Sequence, residues 1–339
     1  MKPFKSVAIG LAMTLLGGQA AARENLWIVS SAADFTYTSA VGESFARNYR
    51  QPAPLIERYG LRTGIRLFCA GLGRFHPDII GVPRRMMTAE FDNCRDNGVA
   101  RITEIKVGYD AIVVARSGTA EAFALTLEQL HLALAAELPV EGELVENPHR
   151  RWRDIDPRLP DVEIKVYGPP AQTDFGALFL ADMMAAGCRK VRAIAGLDEE
   201  SRDFDCPSLR NDGAYVAVAR NLEEAHRRVL AEPSALAILP FSYMNRRAPG
   251  LAALPIGGVA PSEVSIAMGH YPVPCPIYLY VKTQHVDSVP GIQEFVTEYT
   301  SDLAWSPGGY LEAAGLVPLS PRDRIAERSN AIGLSPVVQ

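Results

Sequence analysis

Apolar stretches of strand length alternate with amphipathic stretches of helix length along nearly the whole chain, and no linker sorts them into separate runs. Leu26–Ser30, Ile65–Cys69, Asp78–Val82, Asp161–Tyr167, Tyr215–Val218, Ala235–Leu239 and Ile277–Lys282 read as strands. Ser39–Asn48, Thr88–Asn97, Leu127–Glu137, Gly176–Gly187, Leu222–Ala231, Pro290–Ser301 and Tyr310–Ala314 read as helices, with Ser39 and Thr88 as N-caps and Gly98 as a stop. Strand–helix alternation of this kind specifies α/β architecture with parallel sheets. The longest strand segment, Glu104–Arg116, joins two apolar runs, Ile105–Val107 and Ala111–Ala115. Lobes connected by strands that cross from one to the other would leave such an undivided pattern.

The N-terminus reads as a secretory signal over residues 1–22. Lys2 and Lys5 precede an apolar run, Val7–Leu16, and Ala20-Ala21-Ala22 supplies a small-residue exit. The run is too short for a bilayer, which needs roughly 20 apolar residues. No cysteine lies near the expected cleavage point, which argues against a lipid anchor. The expected compartment is therefore the periplasm.

Removing that segment leaves 317 of the 339 residues and takes the formal net charge from −5 to −7. That length exceeds what one hydrophobic core usually holds, roughly 250–300 residues. So acidic a chain argues against nucleic acid as partner. It leaves anion binding open, because a local site can oppose the overall charge. Arginine pairs occur at Arg84-Arg85, Arg150-Arg151 and Arg246-Arg247, and each reads first as solvated surface.

The five cysteines are Cys69, Cys94, Cys188, Cys206 and Cys275. Export would place them where disulfides persist. Local pairing suggests Cys69–Cys94 and Cys188–Cys206, leaving Cys275 as a buried strand thiol, although sequence leaves other connectivities open. There is no CxxC pair and the histidines are dispersed, so no metal site is expected. Gly71-Leu72-Gly73 lacks the third glycine of a dinucleotide loop, and neither a Walker A run nor a GxSxG elbow is present. His76 lies close to Asp78, but no nucleophile accompanies them. The chain reads as a binder without cofactor rather than an enzyme.

Several blocks, in order, resemble the PstS-like phosphate-binding proteins of ABC importers. They include Leu67–Gly73 with Pro77-Asp78-Ile79, Glu104–Asp110, Val166–Pro170, Asp212–Val216, Gly258–Pro261, and Tyr271-Pro272-Val273 with Pro276–Lys282. Ala304-Trp305, Gly309-Tyr310-Leu311 and Gly315–Leu319 close the series. The resemblance implies a two-lobed type II periplasmic-binding fold, each lobe a mostly parallel sheet flanked by helices, joined by two crossover strands. Lobe I would comprise 23–109 and 271–339, and lobe II 110–270. It further implies a monomer that closes on a small ligand and hands it to an inner-membrane permease.

The phosphate-contact loops depart from the family. Where relatives read Gly-Ser-Ser-Thr, this chain has Ser30-Ser31-Ala32-Ala33; where they read Ser-Arg, it has Pro83-Arg84. Their Ser-Gly-Thr-Arg is here Thr173-Asp174-Phe175-Gly176. Each missing donor to a charged group forfeits roughly 1.5–3 kcal/mol. The candidate site is Ser30, Ser31, Arg84, Gln172, Thr173 and Asp174, with Arg84 as the anion clamp and Phe35, Tyr37 and Phe175 nearby. Two functions follow: a binding component for phosphate or another small solute, or a sensor or interaction protein that kept the fold and lost phosphate.

Overall fold

The computed structural model describes residues 25–140, 143–191, 208–218 and 221–337. The signal-peptide expectation and Cys206 lie outside these residues, so the Cys188–Cys206 pairing does too.

One nine-stranded sheet runs through the molecule in the order β2-β1-β3-β11-β4-β9-β7-β8, with β10 (Leu251–Ala253) also pairing β4. β1 (Trp27–Ser30) lies parallel to β2 (Leu55–Arg58) and to β3 (Ile79–Val82). β7 (Val166–Gly168) lies parallel to β8 (Tyr215–Ala217) and to β9 (Leu236–Pro240). Between these two parallel sets stand two long antiparallel strands, β4 (Ile102–Ser117) and β11 (Pro274–Lys282). A separate hairpin pairs β5 (Glu137–Val140) with β6 (Glu143–Glu146).

β4 sets the architecture. Its first part pairs β11, from Ile102 opposite Lys282 to Ala111 opposite Pro274. From Ile112 onward it pairs β9 instead, ending with Arg116 opposite Leu236. The change of partner falls beside Asp110, and the hydrophobic cores divide there too. One core gathers residues from Ala111 to Cys275, with Val317. Two others draw on Leu26 to Val107 and Ile277 to Leu334. Residues 105 and 107 serve one core and residues 111–115 the other, so a single strand carries the chain from lobe to lobe.

The helices flank these sheets. α1 (Phe35–Tyr49) buries Tyr37, Val41 and Phe45, while the helix Ile292–Tyr299 brings Phe295 against Phe45. α1 begins a turn before Ser39, so Ser39 is not its cap. α3 (Thr88–Asp96) has Met87 rather than Thr88 at its cap position, and Glu90 accepts the Met87 N–H at 2.7 Å.

Ile65–Cys69, expected as a strand, is instead the end of helix α2 (Leu61–Cys69). Its buried residues are Leu61, Gly64, Ile65, Phe68 and Cys69, the spacing of a helical stripe. Short apolar runs look alike in either period, and here the polar Arg62, Thr63 and Arg66 mark the outer face. Gly64 lets the helix close onto the sheet, because a Cβ there would stand 3.0 Å from Val29. Cys69–Cys94 is a disulfide, bonding α2 to α3, and Cys275 is a buried free thiol.

Asp161–Tyr167 makes one isolated bridge, Glu163 to Arg151, and joins the sheet only at Val166, and the helix begun at Leu127 ends at Leu134 so that Glu137 can open β5. The helical run from Asp174 to Cys188 starts two residues before Gly176 and contains a π-helical turn, Phe179–Met184. No helix among the described residues is long and apolar enough to cross a membrane.

Candidate functional site

A cleft of about 710 Å³ opens where the lobes meet. The β1–α1 turn contributes Ala32 and Ala33, the end of β3 contributes Pro83, and the turn after β7 contributes Gln172, Thr173 and Asp174. Tyr37 and Phe175 stand in its wall, and Ile238 and Ile277 form part of its floor.

Of the six expected residues, only Gln172, Thr173 and Asp174 line this cleft. Thr173 is used as a cap: its hydroxyl accepts the Gly176 N–H at 3.0 Å and donates to the Pro170 carbonyl at 2.8 Å. The Asp174 carboxylate reaches across the cleft to α2, where it accepts the Leu61 N–H through both oxygens at 3.0 and 2.9 Å. A helix start favours negative charge, and here the chain supplies that charge from its other lobe.

Ser30 and Ser31 are buried and turn away from the cleft, toward Asp34. Both hydroxyls donate to the Asp34 carboxylate, the Ser31 N–H donates to it at 2.8 Å, and the Thr38 hydroxyl does so at 3.2 Å. Asp34 thus takes up the Ser30 and Ser31 donors that the turn could otherwise offer to a guest. Its neighbour on β3 has no side chain: a Cβ on Gly81 would lie 1.8 Å from Asp34 Oδ2. Burial pushes the Asp34 pKa up to about 6 despite these hydrogen bonds, which oppose the rise.

Arg84 is also committed. Its guanidinium forms a two-pronged pair with Glu90 at 2.7 and 2.8 Å and donates to the Arg85 carbonyl. It does not line the cleft, although Pro83 beside it does. The Glu90 bond raises the Arg84 pKa further, and the Glu90 carboxyl is held below its usual range, so both groups are charged at neutral pH.

Residues that sequence reasoning left out of the site are prominent in it. Asp110, at the lobe crossing, accepts the Ala111 N–H at 2.8 Å and, from Ser242, the N–H at 2.9 Å and the hydroxyl at 2.6 Å. It therefore holds the start of the helix Phe241–Arg247 against β4, and burial raises its pKa. That helix ends in Arg246 and Arg247, both exposed and both lining the cleft. Arg58 lines it from the end of β2, its guanidinium 5.6 Å from the Phe35 ring centre. None of these three arginines has a carboxylate within salt-bridge distance among the described residues; Arg246 makes one long contact, 3.5 Å, to the Glu312 carbonyl. The Arg246-Arg247 pair was visible in the sequence, and its place just after an apolar strand was the available signal.

Comparison with known proteins sets this geometry in context. Protein SphX of Synechocystis is 24% identical over 304 residues, covering 87% of this chain and 80% of that one. Among solved structures, one from Planctomyces limnophilus, described as a possible phosphate binding protein, matches with a TM-score of 0.63 at 19% identity, covering 91% and 98% of the two chains. An ABC-type phosphate transport receptor from Vibrio cholerae matches with a TM-score of 0.61 at 14% identity, covering 88% and 100%. The family model for the PBP superfamily domain matches residues 17–302, so this chain, with its crossover strands and interlobe cleft, belongs to the PBP superfamily.

Proposed function

We propose that this protein captures a small anionic solute between its lobes outside the cytoplasm and presents it to an inner-membrane ABC permease. The observation that carries the reading is the cleft at the lobe crossing, bearing Arg58, Arg246 and Arg247 without carboxylate partners among the described residues. A guanidinium offers a planar fork to phosphate or carboxylate and keeps its charge at any relevant pH. Ala32 and Ala33 add backbone N–H groups that make no hydrogen bond among the described residues. Lobe I is assigned as 23–109 with 271–339, lobe II as 110–270, and residues 1–22 as an export signal.

Stabilisation by ligand tests this. A solute at about 100 times its Kd adds about 2.7 kcal/mol to folding stability. Thermal unfolding of the mature protein should therefore shift upward with phosphate or another small anion, and the shift should vanish in the Arg58→Ala/Arg246→Ala double variant. A panel of anions without effect, or an unchanged shift in that variant, overturns the reading.

A second reading, a sensor or interaction protein that no longer takes phosphate, is favoured by the internal commitment of Ser30, Ser31 and Arg84. Under it, orthophosphate leaves the melting temperature unmoved.

A further inference from the structure

We propose that the cleft accommodates an organic anion, a phosphate or carboxylate head carrying an apolar body, in preference to the bare inorganic ion; this rests on the anion-capture reading above.

The chain fills its own anion positions. Asp34 takes the Ser30 and Ser31 donors of the β1–α1 turn and leaves it the Ala32 and Ala33 N–H groups, Asp174 takes the first N–H of α2, and Asp110 takes those of Ser242 at the start of the helix Phe241–Arg247. A compact inorganic anion binds tightly when many neutral donors converge on it at once. Here three such groups of donors already hold a carboxylate, and a guest at any of them would meet a like charge.

Among the described residues, the remaining cationic groups are the exposed guanidinia of Arg58, Arg246 and Arg247. Beside them the lining that still meets solvent includes the apolar Pro170, Phe175, Leu222 and Pro240, backed by buried Leu178, Ile238 and Ile277. The size fits the same class. About 710 Å³ is measured with the lobes already joined by the Asp174–Leu61 contact, so it is not the gap of a splayed molecule. Sites for organic molecules run roughly 300–1,000 Å³, whereas a water occupies about 30 Å³. A bare oxyanion would leave most of this volume, and the part-exposed Phe175 and Leu222 beside it, to solvent. An organic body would cover those side chains while its head stays with the arginines.

Calorimetric titration of the mature protein with matched pairs decides it: phenyl phosphate against inorganic phosphate, and benzoate against acetate. In at least one pair the aryl compound should bind about tenfold tighter or more, and Phe175→Ala should remove most of that advantage while sparing the bare ion. If the bare ions bind as tightly as the aryl compounds or more so, this inference fails and anion capture stands. If none of the four binds, both fail.

Discussion

Asp34 shows how one side chain can redirect a site. Its folded pKa of about 6 exceeds the ordinary 3.8 because burial outweighs the hydrogen bonds it receives. Between those values the folded state holds the extra proton, so this group's contribution to stability falls as pH rises through the window, by up to about 3 kcal/mol. His131 acts in the opposite sense: burial lowers its pKa to about 4, and its contribution is lost as pH falls from 6.5 toward that value. Asp34→Asn should remove only the first effect. Relative to the parent, the variant should gain up to about 3 kcal/mol in going from pH 4 to pH 7, read from urea unfolding at each pH. A parent–variant difference that is the same at both would refute the burial account. At this scale the sequence was least legible. Ser30 and Ser31 were placed at the turn correctly, but their direction depends on a carboxylate three and four residues on and on a side-chain-free neighbour from another strand. Arg84 likewise lost its expected role to Glu90, a partner supplied by the next helix.

Elements were read better where length and period agreed. The joined apolar runs around Asp110 became β4, and Leu222–Ala231 is a helix with those bounds. The Ile65–Cys69 run failed because five residues cannot separate a period of two from one of 3.6. The four-residue β2, the hairpin β5–β6, the three-residue β10 and the polar helix Pro321–Gly333 carry too little apolar pattern to announce themselves. Their existence follows from tertiary pairing. The Cys69–Cys94 bond ties α2, whose first N–H donates to Asp174, to α3, which supplies Glu90. Closing a 25-residue loop stabilises by about 3.5 kcal/mol in the chain-entropy model. Cys94→Ser should therefore lower unfolding stability by about 2–4 kcal/mol, measured in denaturant without reductant. A loss below about 0.5 kcal/mol would show that helix packing alone fixes the pair.

For the molecule as a whole, the Asp174–Leu61 contact joins the lobes on the cleft side, beside the crossing strands and the contacts of Arg246 with Glu312 and of Val317 with the second lobe's core. Asp174→Ala removes both hydrogen bonds and leaves the start of α2 without its anion. The unliganded variant should populate more open arrangements, with a larger radius of gyration by small-angle scattering and a smaller one again when ligand is added. Identical scattering from parent and variant would show that the contact does not hold the lobes together.

β11 stands between β3 and β4, although its residues lie some 190 positions after β3 in the chain. The first lobe therefore lacks its middle strand until nearly the entire polypeptide has been made, while the second lobe's core needs little beyond residue 275. Order of synthesis and order of completion are thus reversed: the part that emerges first finishes last, and β3 must wait with an open edge. A polypeptide ending at residue 276 should retain protease-resistant fragments from 111–273 and digest freely before residue 100. Equal resistance throughout would mean that the early strands can pair without their late partner.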